Sequence, residues 1–239
     1  MSVKLYIQME YYKNGTLDDL IQSGKLYQDL SRIWSILFNL LNGLKEVHAN
    51  GIVHRDLKPS NIFFDDNGAA LIGDFGLGYF VGKEVSTSTD GIENNENYTT
   101  AIGTILYAPP EQLANNQSFS AHSNVSTRIT TKSDMFCVGL ILYEMLLPPM
   151  PTALERYKAG RLRPEIKNSY QDIILHCLEE NPKNRPSAQE LIDMILSDDS
   201  IVNKKNLDEL MLCLSKPNNS VFMTVTNTLM ERVEQIRID

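Results

Sequence analysis

His54-Arg55-Asp56-Leu57-Lys58-Pro59-Ser60-Asn61 is the stretch on which the reading of this chain turns, and Asp74-Phe75-Gly76 completes it. Within six residues the first stretch supplies a carboxylate (Asp56), an ammonium (Lys58) and an amide (Asn61). Pro59 has no amide hydrogen to give and its ring crowds the preceding turn, so no regular helix runs through the middle; the stretch is a shaped loop. Between the two motifs, Ile62-Phe63-Phe64, the turn Asp65-Asp66-Asn67-Gly68 and Ala70 to Gly73 predict a small hairpin carrying one motif at each end. Such a hairpin aims Asp74 back at the first loop.

A carboxylate that positions a hydroxyl, with an amide and a second carboxylate that hold magnesium, is the equipment of phosphoryl transfer. The order H-R-D-L-x-x-x-N, then D-F-G, then Pro110-Glu111 resembles the signature set of the eukaryotic protein kinases. Any one of these residues alone would pass for an ordinary polar loop residue. The set in order, with its structural members, does not.

Outward from the loop the pattern is mainly helical. Thr16 caps a short helix through Ile21, with Asp18 and Asp19 in its first turn. Ile33, Ile36, Leu37, Leu40, Leu41, Leu44 and Val47 recur at helical spacing and predict a helix from about Asp29 to Ala49, stopped by Asn50-Gly51. Downstream, Lys132 to Leu147 reads as a buried helix apolar on nearly all sides, broken by Pro148-Pro149-Met150-Pro151. Thr152 caps a helix reaching about Ala159, and helices are expected near Ser169 to Glu179 and Ser187 to Leu196, the last opened by the capping box Ser187-x-x-Glu190. Val3 to Met9 reads as a strand. Gly82 to Asn97 and Ala114 to Thr131 read as polar loop inserts, and two further helical patterns follow Ser200.

Composition narrows the function classes. The 239 residues carry a formal net charge of -8, with pI about 5.1, which argues against a dedicated nucleic-acid or acidic-membrane surface. Cys137, Cys177 and Cys213 are odd in number and lack CxxC spacing, so neither a disulfide framework nor a zinc site is indicated. The longest apolar run, Met135 to Leu147, contains Gly139 and Glu144 and is too short to span a bilayer. The N-terminus has no signal-peptide layout, so a cytoplasmic protein is expected, with no membrane partner and no direct nucleic-acid binding. His48, His122 and His176 show no ligand spacing and read as incidental.

The kinase resemblance implies a role for each residue. Asp56 would orient or accept the proton of the substrate hydroxyl, Lys58 would offset charge on the transferred phosphoryl group, and Asn61 and Asp74 would hold Mg2+ for ATP. Lys58 and Thr104 mark the serine/threonine type, with Thr104 facing Asp56. The backbone of Glu10 and Tyr12 would bind adenine, Met9 would guard the pocket and Phe63 would form its floor. Asp134 would hydrogen-bond the backbone of the His54-Arg55 turn, and Glu111 would pair with Arg185. Phosphate on Thr99 would order its loop against Arg55. Phe75 and Gly76 shape the second motif. Leu5 to Tyr11, Thr16 to Ile21 and Pro151-Thr152-Ala153-Leu154-Glu155-Arg156 resemble the kinases of the translation initiation factor 2 alpha subunit, the last segment looking like their docking helix for the factor. Asn97 to Thr104 and Asp208 to Leu229 look most like the member that senses uncharged tRNA.

The expected fold class is therefore mainly α with short β-hairpins, the large C-terminal lobe of a protein kinase. Residues 1–12 would be the last small-lobe strand and hinge, 13–197 the large lobe, and 198–239 a helical extension. No G-x-G-x-x-G precedes the hinge, and nothing resembles V-A-I-K. On this reading the chain is truncated and inactive alone, lacking the phosphate cover and clamp. The expected substrate is the factor 2 alpha subunit in a starvation and stress response, with homodimerisation possible through a full-length parent. The competing expectations are a non-catalytic, pseudokinase-like interaction module or decoy, and an inert gene fragment.

Overall fold

The computed structural model describes residues 11–75, 78–80, 106–117, 129–152, 155–156 and 170–198. Their core is built on one long helix, which we label α2 (Leu30–Ala49). It starts at Asp29, whose carboxylate accepts the Arg32 amide at 2.9 Å, and ends at Asn50, just before Gly51 with a φ of 71°. Its stripe of Ile33, Ile36, Leu37, Leu40, Leu41 and Leu44 is at most 1% exposed. Fully burying each such side chain is worth about 1.5–3 kcal/mol, so this stripe anchors everything packed on it.

Helix α1 (Leu17–Gln22) lies upstream. Thr16 and Asp19 cap it reciprocally: the Thr16 hydroxyl oxygen accepts the Asp19 amide at 3.3 Å, and the Asp19 carboxylate accepts the Thr16 amide at 2.9 Å. The Thr16 hydrogen bonds hold the Asp19 carboxyl below its ordinary range. After α2 come β1 (Ile52–Val53), a 3-10 turn at Pro59–Asn61, and the hairpin β2 (Ile62–Phe64) and β3 (Ala70–Ile72). The hairpin register pairs Ile62 with Ile72, Phe63 with Leu71 and Phe64 with Ala70. Its turn is closed by Asp65, whose carboxylate accepts the Asn67 and Ala69 amides at 2.9 and 2.7 Å. β1 pairs antiparallel with β4 (Tyr79–Phe80), which sets the strand after the second motif beside the strand before the first. That pairing is invisible in local sequence pattern.

Helix α3 (Pro110–Gln117) corrects one expectation: Ala114 to Gln117, read as part of a polar insert, continue a helix. Pro110 opens the helix and Glu111 sits in its first turn, so the start signals outweigh the poor apolar content downstream. α4 (Thr131–Met145) is buried from Ser133 through Met145 and capped by Thr130 with Ser133. It packs on α5 (Tyr170–Cys177) at Gly139, where an added Cβ would lie 2.7 Å from the Cys177 Cβ. α6 (Ala188–Ser197) carries the predicted capping box and packs on α2. There the Ser187 amide and hydroxyl, with Lys132, pull the Glu190 carboxyl down to about 2. Burial pushes the Cys137 thiol up and the Cys177 thiol up to about 12, as suits small core side chains. Among the described residues no helix is long and apolar enough to cross a membrane. The expected strand at Val3 to Met9, the polar segment Gly82 to Asn97 and the helical patterns beyond Ser200 lie outside the described residues.

Candidate active site

The first turn of α4 organises the site through three consecutive residues. Asp134, fully buried, accepts the His54 amide at 2.9 Å and the Arg55 amide at 3.0 Å, one on each carboxylate oxygen. Those two bonds pin a turn in which Arg55 adopts a φ of 70°, a left-handed conformation that non-glycine residues rarely hold without outside support. His48 Nε2 also meets Asp134, at 2.8 Å. His48 is therefore not incidental. The signal that could have found it is its place one turn beyond Leu44, on the buried stripe of α2.

His54 ties the two motifs together. Its Nε2 meets the Gly73 carbonyl oxygen at 2.9 Å, while its Nδ1 accepts the Asp56 amide at 3.3 Å. A carbonyl oxygen only accepts and an amide only donates, so these partners set the neutral tautomer with hydrogen on Nε2. The Gly73 amide in turn donates to the Asn61 carbonyl oxygen at 2.9 Å. Asp74 follows in a left-handed conformation, with φ of 56° and its side chain exposed. Phe75 packs its ring 4.8 Å from that of His54 yet is 43% exposed.

Within the loop, Asp56 Oδ2 accepts from Lys58 Nζ at 2.7 Å and from Asn61 Nδ2 at 3.2 Å. Asn61 Nδ2 also donates to the Asp56 backbone oxygen at 2.9 Å. With Nδ2 committed to Asp56, the Asn61 Oδ1 is the atom suited to a hard cation. Asp56 and Lys58 are mostly covered, their side chains 12% and 23% exposed. The structure thus brings Asp56, Lys58 and Asn61 into contact and joins their loop through Gly73 to the Asp74 turn.

On the upstream side, Tyr12 lies against Phe63 at 5.7 Å between ring centroids, and Thr16 bridges to Phe63. Gly73 is required here: a Cβ would meet the Phe63 ring at 2.7 Å. Met9, Glu10, Gly76, Thr99 and Thr104 lie outside the described residues.

Glu111 and Arg185 form a bidentate pair at 2.8 and 2.9 Å, essentially sealed from solvent. Every guanidinium N–H is used, the others going to the carbonyl oxygens of Glu179, Lys132 and Glu180. Ser133 donates to Glu111 at 2.9 Å. Burial opposes charge on Glu111, but the Arg185 hydrogen bonds and charge, a backbone hydrogen bond and the Ser133 hydroxyl together outweigh it and hold the carboxyl below its ordinary range. So Lys132 and Ser133 serve this pair while Asp134 serves the loop.

A second charged cluster escaped the sequence reading. Glu144, inside the apolar α4, accepts the Tyr107 hydroxyl hydrogen and lies 3.5 Å from Arg156, which also reaches Asp18 at 3.3 Å. The signal was a lone carboxylate in the longest apolar run.

The protein kinase domain family matches residues 2–196, most of the length of the chain. The chain belongs to that family. The kinase is 36% identical over 210 residues to the eIF-2-alpha kinase GCN2 of Mus musculus, covering 79% of this chain and 12% of the relative. It is 31% identical over 249 residues to the GCN2 of Schizosaccharomyces pombe, covering 98% and 15%. The serine/threonine-protein kinase Nek2 of Homo sapiens is 30% identical over 236 residues, covering 90% and 48%. This is a protein kinase resembling GCN2 that spans 12% to 15% of the length of the GCN2 relatives it matches.

Proposed function

We propose that the chain carries the catalytic loop and metal ligands of a serine/threonine kinase that transfers the γ-phosphoryl group of ATP to the translation initiation factor 2 alpha subunit, in the cytoplasm, as part of a starvation and stress response. The observation that carries this is the Asp56 carboxylate, gripped by Lys58 and Asn61 in a loop hydrogen-bonded through Gly73 to the Asp74 turn. The name of the GCN2 relatives supports the choice of substrate. On this reading residues 13–197 are the large lobe, 1–12 the last small-lobe strand and hinge, and 198–239 a helical extension.

The residues fit a nucleotide-bound Mg2+. Asn61 Oδ1 and the exposed Asp74 carboxylate are hard oxygen donors, and a cation of this kind takes its other ligands from phosphate and water. When bound, Mg2+ neutralises charge on the phosphates. The chain's own residues do the rest. Asp56 accepts the hydroxyl proton of the acceptor on Oδ1, the oxygen not engaged by Lys58 or Asn61, as the oxygen–phosphorus bond forms and ADP leaves. Lys58, hydrogen-bonded to Oδ2 of the same carboxylate, offsets charge on the phosphoryl group in flight. Asn61 keeps the Asp56 side chain from turning away. Tyr12 and Phe63 supply an apolar wall for adenine.

The test is incubation of the purified chain with radiolabelled ATP, Mg2+ and the purified alpha subunit. Label on the subunit that disappears on chelation of Mg2+ or with Asp74→Asn supports the reading. Absence of label under all conditions overturns it. A second reading, a non-catalytic docking module, draws on the reciprocal Thr152–Glu155 hydrogen bonds at 3.1 Å, which are made independently of Asp56. Subunit binding without label would favour it.

A further inference from the structure

We propose that Arg156 is a positioning residue: one guanidinium that ties α1 to the segment carrying Tyr107 and Glu111. Arg156 Nη1 lies 3.3 Å from Asp18 Oδ1 on α1 and 3.5 Å from Glu144 Oε1 on α4. The other Glu144 oxygen accepts the Tyr107 hydroxyl hydrogen. The chain of contacts Asp18, Arg156, Glu144, Tyr107 thus joins segments 138 residues apart in sequence.

Both ends of that chain matter to the site. Asp18 sits two residues after Thr16, whose backbone bridges to Phe63, and α1 packs on the 3-10 turn containing Asn61. Tyr107 lies four residues before Glu111, and its carbonyl oxygen accepts from Cys137 at 3.3 Å. Glu144 is 4% exposed and is the one carboxylate in the apolar run from Met135 to Leu147. A buried carboxylate stays charged only beside a cation. Burial raises the Glu144 carboxyl above its ordinary range, with the Tyr107 hydrogen bond and Arg156 working against that rise. Leu106, Leu140, Tyr143 and Met150 close the small space around the cluster. Arg156, whose amide donates to the Thr152 carbonyl oxygen at 3.2 Å, enters it, so its placement and that of Tyr107 are one mechanical question.

The kinetic half of this inference rests on the kinase reading; the structural half stands apart from it. Hydrogen exchange on the whole chain tests the structural half. Arg156→Ala is expected to speed exchange of backbone amides in 106–111 by about tenfold or more, with α2 and α6 unchanged, and Arg156→Lys to restore most of the protection. The double variant Glu144→Gln with Arg156→Met leaves no unpaired buried charge. It is expected to fold with near-native stability yet keep the faster exchange in 106–111. Asp18→Asn should speed exchange in 17–22 and 106–111 together. Native exchange in 106–111 for the folded double variant would overturn the tie, as would a rise in 17–22 alone for Asp18→Asn. In kinetics, Arg156→Ala is expected to raise KM for the protein substrate about tenfold and leave KM for ATP within about twofold; equal changes in both would overturn the positioning role. If the native chain transfers no phosphate, the kinase reading fails and the exchange results decide the inference.

Discussion

The loop around Asp56 and the pair Glu111–Arg185 hang from the same turn of α4 and treat charge in opposite ways. Arg185 uses all of its N–H groups on protein oxygens and is buried with its carboxylate. A pair so fully satisfied has no capacity left for a ligand and can only hold register. The loop keeps an exposed Asp74, a partly covered Asp56 and Lys58, and two non-glycine residues in left-handed conformation. Each such backbone costs about 1–3 kcal/mol, though Asp tolerates it better than most, and the cost is sustained by Asp134 and the Gly73 hydrogen bonds. The difference teaches where to look for chemistry. Saturated charge marks structure, and charge with hydrogen-bonding capacity in hand, held on a strained and well-supported backbone, marks a site.

Breaking the loop should destroy activity and spare the fold. Asp56→Asn is expected to lower phosphate transfer by about 10²–10⁴-fold. Its thermal midpoint should stay within about 2 °C of the native value, followed by circular dichroism. Breaking the pair should do the reverse. Arg185→Ala leaves Glu111 buried and unpaired, for a loss of about 3–5 kcal/mol in urea unfolding. Glu111→Gln combined with Arg185→Met should recover most of that, because no charge is then stranded; failure to recover would mean the carbonyl contacts of Arg185 dominate.

The pair also predicts a pH signature. The Glu111 carboxyl is lowered in the folded state, so its contribution is present above the ordinary carboxylate range and lost as pH falls through the lowered value. Unfolding free energy below about pH 4 should therefore fall more steeply for the native chain than for the Glu111→Gln, Arg185→Met variant. Parallel curves would show that the pair carries no acid-labile stability. Least affected should be the exposed end of the same neighbourhood. Ser187→Ala removes one cap of α6 beside the Lys132–Glu190 contact, and a loss of only about 1 kcal/mol is expected.

Local signals carried far into the fold. Thr16, Ser187 and the turn at Asp65 sit where a cap or turn was expected, and Asp29 caps the helix whose start was placed there, because each works through hydrogen bonds to residues within four positions. The end of α3 was not legible: Ala114 to Gln117 have a polar composition that loops and exposed helix share. His48 and Glu144 were missed for a different reason. Each is a single polar side chain whose partner lies tens of residues away, so local pattern can mark the position as buried but cannot name the partner.

By itself, then, the sequence determined α1, α2, α4, α5 and α6, the hairpin and the membership of the loop, since those depend on periodicity, capping and residue chemistry within a short window. Tertiary structure decided how the pieces share α4: Lys132 and Ser133 on the ion pair, Asp134 on the loop, Glu144 on Tyr107. It also decided the His54 tautomer and the left-handed turns at Arg55 and Asp74, which stand only because groups distant in sequence supply the hydrogen bonds that support them. Those choices are long-range electrostatics in a buried place, and a buried charge selects its partner by position in space.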